Sequence, residues 1–240
     1  MKINIHRANE RFFADYHWLK TWHSFNFADY FNPLRERFGV IRVFNDEVME
    51  PGKGFDMHEQ KNLEIVLIPL IGELKYQDQI GNEFTLGPDD VQIISAGSGI
   101  NYSIGNNSNT LSLEIIQIWL FPKIKSINPR IQCLQFNERE RRGKFQMVAS
   151  PEVISDVLWI NQQTWISKID LNKSQSVSYN LHNDSNVLFV FVIQGSIHLA
   201  FNEEKEAGKR DSMEISDIDG LVKFIANQDS KLLLIEAPLD

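Results

Sequence analysis

The sequence contains one cysteine, Cys133, so no disulfide can close within the chain. No apolar run reaches the roughly 18–20 residues that a membrane-spanning helix needs. The start lacks a charged segment followed by an apolar core, so no secretory leader is expected and the protein reads as cytoplasmic. Positive charge is also short. Lys and Arg number 24 against 32 Asp and Glu, a formal net charge of −8. That balance argues against direct contact with nucleic acid or an anionic membrane, where a basic face supplies most of the affinity. The one basic cluster, Glu138–Arg142 (ERERR), sets two acids among three arginines and reads as a solvated face. Long amphipathic helical periodicity is missing too. Also absent are a phosphate-cradling glycine loop, a paired-cysteine zinc motif and a Ser-His-Asp order.

What remains is a succession of short apolar segments separated by turn residues. Val40–Phe44, Glu64–Ile71, Glu73–Gln77, Phe84–Leu86, Val91–Ile94, Ile100–Ile104 and Leu111–Phe121 read as strands. Trp159–Leu171, Val187–Ile193, Ser196–Phe201, Met213–Ile215, Leu221–Ala226 and Lys231–Ile235 continue the style. A spacing of roughly 8–12 residues suggests sandwiches or barrels rather than βαβ units. The stretch 123–143 is more polar and serves as a connector between a first domain, 1–122, and a second, 144–240. The runs IVLIPLI and VLFVFVI are oily on both faces, so something must cover their outer sides.

Candidate chemistry sits near the middle of the first half. Gly52 is followed after five residues by His58, then Gln60, then Glu64. Residues two apart on a strand share a face, so His58 and Gln60 point the same way, into a barrel. Tyr102 and Ile104 form a second same-face pair. If both strands line one barrel, the four side chains converge. Elsewhere, His182 and His198 have no histidine two residues away, and His6, His17 and His23 read as packing or loop residues. Cys133, between Ile131 and Leu134, reads as a small buried hydrophobe rather than a redox sensor.

These motifs resemble those of the cupin superfamily and, more closely, the pirin family. The resemblance is carried by His6–Pro33, Phe38–His58, Gly72–Asn82, Val91–Ile100 and Ile115–Pro122, and more weakly by Gly143–Glu152 and Leu232–Leu239. It implies an all-β bicupin, two tandem antiparallel β-barrel domains of jelly-roll type. It also implies a first-domain metal, usually iron, held by His-x-His and His-x-Glu. Some members oxidise flavonols such as quercetin with O2, and others act as transcriptional coregulators through protein contact.

Carried across by position, the ligands fall on His58, Gln60, Tyr102 and Ile104. One of four is retained. Gln60 offers a neutral amide oxygen, Tyr102 would ligate only as phenolate, and Ile104 cannot ligate. Glu64 has the parity of a substitute ligand, giving an unusual His58, Glu64 and Tyr102 set. Otherwise His58, Gln60 and Tyr102 are expected to bond to one another. The resulting expectation is a non-catalytic small-ligand-binding or regulatory protein with no metal or other cofactor. A flat aromatic molecule or a protein would be its partner. The alternative is a metal-dependent quercetin 2,3-dioxygenase with an altered ligand set, using iron or another divalent ion. A third is a structural bicupin with no ligand.

Overall fold

The computed structural model describes every residue except Phe201 and Asp240, and only the backbone of residues 202–204. Strands dominate, and the two helical pieces among the described residues are short 3-10 turns, Ala8–Glu10 and Glu138–Arg141. Among the described residues, no helix is long and apolar enough to cross a membrane. The expected all-β architecture is present. The chain forms two compact units, 12–136 with 152–162, and 1–11 with 137–151 and 163–240.

This division corrects the simple split into 1–122, 123–143 and 144–240. Lys2–His6 pairs antiparallel with Ser212–Ser216, so the first residues belong with the second half. The connector is not merely a linker, because Arg130–Gln135 pairs with Asp90–Ser95 and closes one edge of the first-half sheet. Residues 152–162 join the same unit. There the Asn161 amide donates to Glu64, and Arg130 sits 5.0 Å over the Trp159 ring. Pairings of that sequence separation leave no local pattern.

The unit containing 12–136 is built from two antiparallel sheets. The larger runs Arg130–Gln135, Asp90–Ser95, Glu64–Ile71, Leu113–Leu120, Ile41–Met49, Leu19–His23 and Phe12–Asp15. The smaller runs Gly54–Gln60, Ile100–Asn106, Leu74–Asp78 and Glu83–Leu86. No ladder joins the two sheets, so the cupin-like fold is an open pair of sheets and not a closed barrel. Their inner faces share one core, with Met49, Leu67 and Ile115 from the large sheet meeting Tyr76, Tyr102 and Ile104 from the small one. Ile100–Asn106 alternates between buried and half-buried positions, as a strand with one apolar face must.

The other unit repeats this plan. Lys2–His6, Ser212–Ser216, Val187–Gln194, Ser230–Ala237, Trp165–Leu171 and Gln146–Ser150 neighbour one another in its large sheet. Ser176–Tyr179, Val222–Ala226, Ser196–Leu199 and Asn202–Gly208 form the small one. The expected strand Trp159–Leu171 breaks into Leu158–Trp159 and Trp165–Leu171. The expected strand Ser196–Phe201 ends at Leu199, and Phe201 lies outside the described residues. A dense apolar cluster that includes Leu188, Val190, Ile197, Met213, Phe224 and Leu234 fills the space between these sheets.

Candidate functional site

The strand carrying His58 is positioned by two glycines. Gly52 has φ of +64°, a left-handed conformation natural to glycine. Gly54 lies so close to the neighbouring strand that a Cβ there would sit 2.4 Å from the Ile104 carbonyl oxygen. Beyond it, Tyr102 pairs with His58 and Ile100 with Gln60, and the register shifts between Tyr102 and Ile104. The shift sets Ile104 opposite Phe55.

His58, Gln60, Tyr102 and Ile104 do converge. They line a cavity of about 220 Å³ together with Phe27, Glu47, Phe55, Gln117 and Trp119. The walls are aromatic. The His58 and Tyr102 ring centroids are 4.7 Å apart, Tyr76 stacks on Tyr102 at 5.7 Å, and Phe27 meets Trp119 edge-on at 5.2 Å.

The expected bonds among His58, Gln60 and Tyr102 are not made. His58 Nδ1 instead lies 2.8 Å from the Asp56 carbonyl oxygen. A carbonyl only accepts, so Nδ1 carries the proton and Nε2 of the neutral ring remains an acceptor. The Trp119 indole N–H is buried without a hydrogen-bond partner among the described residues. This cavity therefore has polar groups with bonding capacity to spare.

Glu47 is the residue that sequence reasoning missed. It is 1% exposed and accepts from Gln117 Nε2 at 2.6 Å, from Asn45 Nδ2 at 3.3 Å and from Thr21 Oγ1 at 3.3 Å. Burial pushes its carboxyl up to about 7, with the hydrogen bonds pulling the other way and nearby Asp46 adding to the rise. Burial, and secondarily the charge of Glu47, drives the Tyr102 phenol further above its ordinary value of 10.0. The signal for Glu47 was parity. Asn45 and Glu47 are paired across the ladder with Gln117 and Ile115, and Gln117 and Trp119 share a face on that strand.

Glu64, the proposed substitute ligand, lies elsewhere. It is on the large sheet, is fully buried, and does not line the cavity. Its Oε2 accepts from Ser95 Oγ at 2.7 Å and from the Asn161 amide at 3.1 Å. Its role is to anchor residues 152–162.

A resident metal does not fit these side chains. Ile104 has no donor atom, Gln60 is neutral, and the Tyr102 phenol is held far from ionisation at neutral pH. Glu47 would bring the donor set only to two, itself and His58, and its oxygens already accept three hydrogen bonds, which leaves room for little more than one further donor. Among the described residues, no three His, Cys, Asp or Glu side chains gather in a way that could hold a metal ion.

The other unit offers two polar features. His182 Nδ1 lies 2.8 Å from the fully buried Glu236 and its ring stacks on Trp165 at 4.7 Å. Glu236 also accepts from Tyr179, Asn183 and Asn186, which marks it as the anchor of a loop. A larger cleft of about 490 Å³ includes Glu138, Arg142, Asp170 and Lys231 in its walls. Two of its acidic groups are already paired, Glu138 with Arg142 at 3.1 Å and Asp170 with Arg141 at 3.2 Å. We assign the candidate site to the smaller, aromatic cavity, where the chemistry is unsatisfied.

Comparison with known proteins places this architecture. Residues 5–120 match the family model described as Pirin, and residues 147–237 match the quercetinase C-terminal cupin domain. A quercetin 2,3-dioxygenase of Escherichia coli strain K12 is 33% identical over 236 residues, covering 98% of this chain and 99% of that protein. The pirin-like protein YhaK of the same strain is 32% identical over 228 residues, covering 94% and 95%. The crystal structure of bacterial pirin YhhW from E. coli in complex with nickel(II) superposes with a TM-score of 0.91 at 32% identity, covering 99% of each chain. The chain thus belongs to the pirin family of two-domain cupins.

Proposed function

We propose that this pirin-family bicupin is a small-molecule-binding protein whose first-half cavity works without a metal. The observation that carries the reading is the cavity itself. Its aromatic walls enclose polar groups that are only partly satisfied. Glu47 and Gln117 bond to each other, but His58, Gln60 and Tyr102 do not, and the Trp119 N–H has no partner among the described residues. By the pirin resemblance, Gln60, Tyr102 and Ile104 fall at three of the four ligand positions. Small-molecule sites have this character, mostly apolar with a few polar groups that fix orientation. About 220 Å³ is below the ~300–1,000 Å³ typical of drug-sized ligands, so the cavity suits one or two fused rings.

A second reading is favoured by the 33% identity to a quercetin 2,3-dioxygenase. In that reading the chain oxidises a flavonol with O2, using a metal held by an unusual ligand set. The two readings separate on protein purified without a metal-binding tag. Binding without metal predicts substoichiometric iron, nickel, copper and manganese, no O2 uptake with quercetin after metal loading, and thermal stabilisation by small aromatic compounds. Stoichiometric metal that disappears in His58→Ala, together with O2 uptake, would overturn it in favour of the dioxygenase.

A further inference from the structure

Among the described residues, no lysine or arginine pairs with the Glu47 carboxylate. Its three hydrogen-bond donors, Gln117, Asn45 and Thr21, are all neutral. No lysine or arginine is among the residues lining the cavity. Its sequence neighbour Asp46 adds negative charge, and the chain carries a net −8. The titratable groups near it are Tyr102 and two imidazoles, His58 in the cavity wall and the buried His23, which packs against Phe27. A buried carboxylate normally has a charged partner, because removing an ion from water without one is costly.

The rest of the lining suits a positive guest. Phe27, Phe55, Tyr102 and Trp119 present aromatic rings, whose faces are negative and attract cations. With Nδ1 donating to the Asp56 carbonyl, His58 Nε2 is the ring nitrogen left to accept in the neutral tautomer. Two acceptors and several aromatic rings, with no resident cation, make a cavity complementary to an ammonium group.

We propose that the cavity binds a small organic cation, an ammonium carried on one ring or on a compact alkyl frame. Its N–H groups are accepted by Glu47 and its charge is seated against the aromatic walls. This deepens the small-molecule reading above and rests on it. A cationic guest would favour the ionised form of this carboxyl, which burial has raised to about 7.

The test is titration calorimetry on the full chain at pH 7.5 with three probes of one shape: phenethylamine, which is cationic, 2-phenylethanol, which is neutral, and phenylacetate, which is anionic. The amine is expected to bind at least tenfold more tightly than the alcohol, and phenylacetate not at all. Glu47→Gln, checked for folding by its thermal melt, is expected to bring the amine-to-alcohol ratio close to one with the alcohol affinity retained. Phe27→Leu keeps an apolar wall but loses the ring face, and is expected to weaken the amine several-fold more than the alcohol. Equal or tighter binding of the alcohol in the parent, or a preference for the amine that survives both substitutions, overturns the cation assignment and leaves small-molecule binding standing. No binding by any probe overturns both.

Discussion

Tyr102 stands directly across the ladder from His58, with their rings 4.7 Å apart and no hydrogen bond between them. By the pirin resemblance, the phenol falls where the family pattern puts a histidine. If three substitutions removed the metal, reversing them should return it. Gln60→His, Tyr102→His and Ile104→Glu together are expected to raise nickel affinity by more than about 100-fold. That is the upper end of what even an outer-sphere partner contributes. Each single change should add little, because one or two donors do not hold a divalent ion. Calorimetry with nickel and metal analysis after dialysis check this. Tight binding by the unmodified chain would refute it.

Glu47 makes stability pH-dependent in a direction opposite to that of a salt-bridged carboxylate. Its ordinary value of 4.5 rises to about 7 in the fold. Below 4.5 it is protonated in both states and burial carries no ionic penalty. Between 4.5 and 7 the unfolded chain releases the proton while the folded chain keeps it, so stability falls as pH rises. The loss is complete above 7 and is on the order of 3 kcal/mol. Glu64, also raised to about 7 by burial, adds a second loss over the same window. Urea unfolding from pH 4.5 to 8 should show the decline. Glu47→Gln should remove one component and Glu64→Gln the other, whatever constant offset each introduces. A Glu47→Gln curve parallel to the parent's would contradict the assignment.

Much of this could be read from residue order, and the failures have a common cause. Glu64–Ile71 was legible because a run of eight apolar-dominated residues suits a strand buried on both faces. The inward parity of Tyr102 and Ile104 followed from the period of a strand. Glu47 was missed because the apolar alternation that began at Val40 stops at Phe44. In the fold the strand runs on to Met49, since Asn45 and Glu47 find hydrogen bonds with each other and Glu47 with Gln117 and Thr21 inside the molecule. Tertiary bonding overrides local polarity there. The pairing of Lys2–His6 with Ser212–Ser216 was hidden for the same reason, because nothing local encodes a contact across most of the chain.

Cys133 should behave as an inert thiol. It lies on the edge strand Arg130–Gln135, half-buried, and burial with nearby Asp90 pushes it from 9.0 up to about 11. The thiolate is the reactive form, so its fraction at neutral pH is about 100-fold lower than for an ordinary cysteine. Iodoacetamide labelling of the native chain should be slower than labelling in urea by at least that factor. It should also keep rising with pH past 9. Native labelling as fast as that of the unfolded chain would show the thiol to be available for redox chemistry.

Gly54 is the most exacting position near the cavity. A methyl group there would meet the Ile104 carbonyl oxygen at 2.4 Å and Gly105 Cα at 2.5 Å, both backbone atoms. Neither can rotate away, so Gly54→Ala must push the strand carrying His58 off the strand carrying Tyr102 and Ile104. The cost is expected to be about 1–3 kcal/mol, as for other overpacked sites. Because Phe55 and Ile104 both line the cavity, ligand affinity should fall along with the melting temperature. Gly87→Ala is the control. A Cβ there meets only Asp90 Oδ2 at 3.8 Å, an ordinary contact, so both properties should stay within error of the parent. If Gly54→Ala melts and binds like Gly87→Ala, the close approach of the two strands does not shape the site.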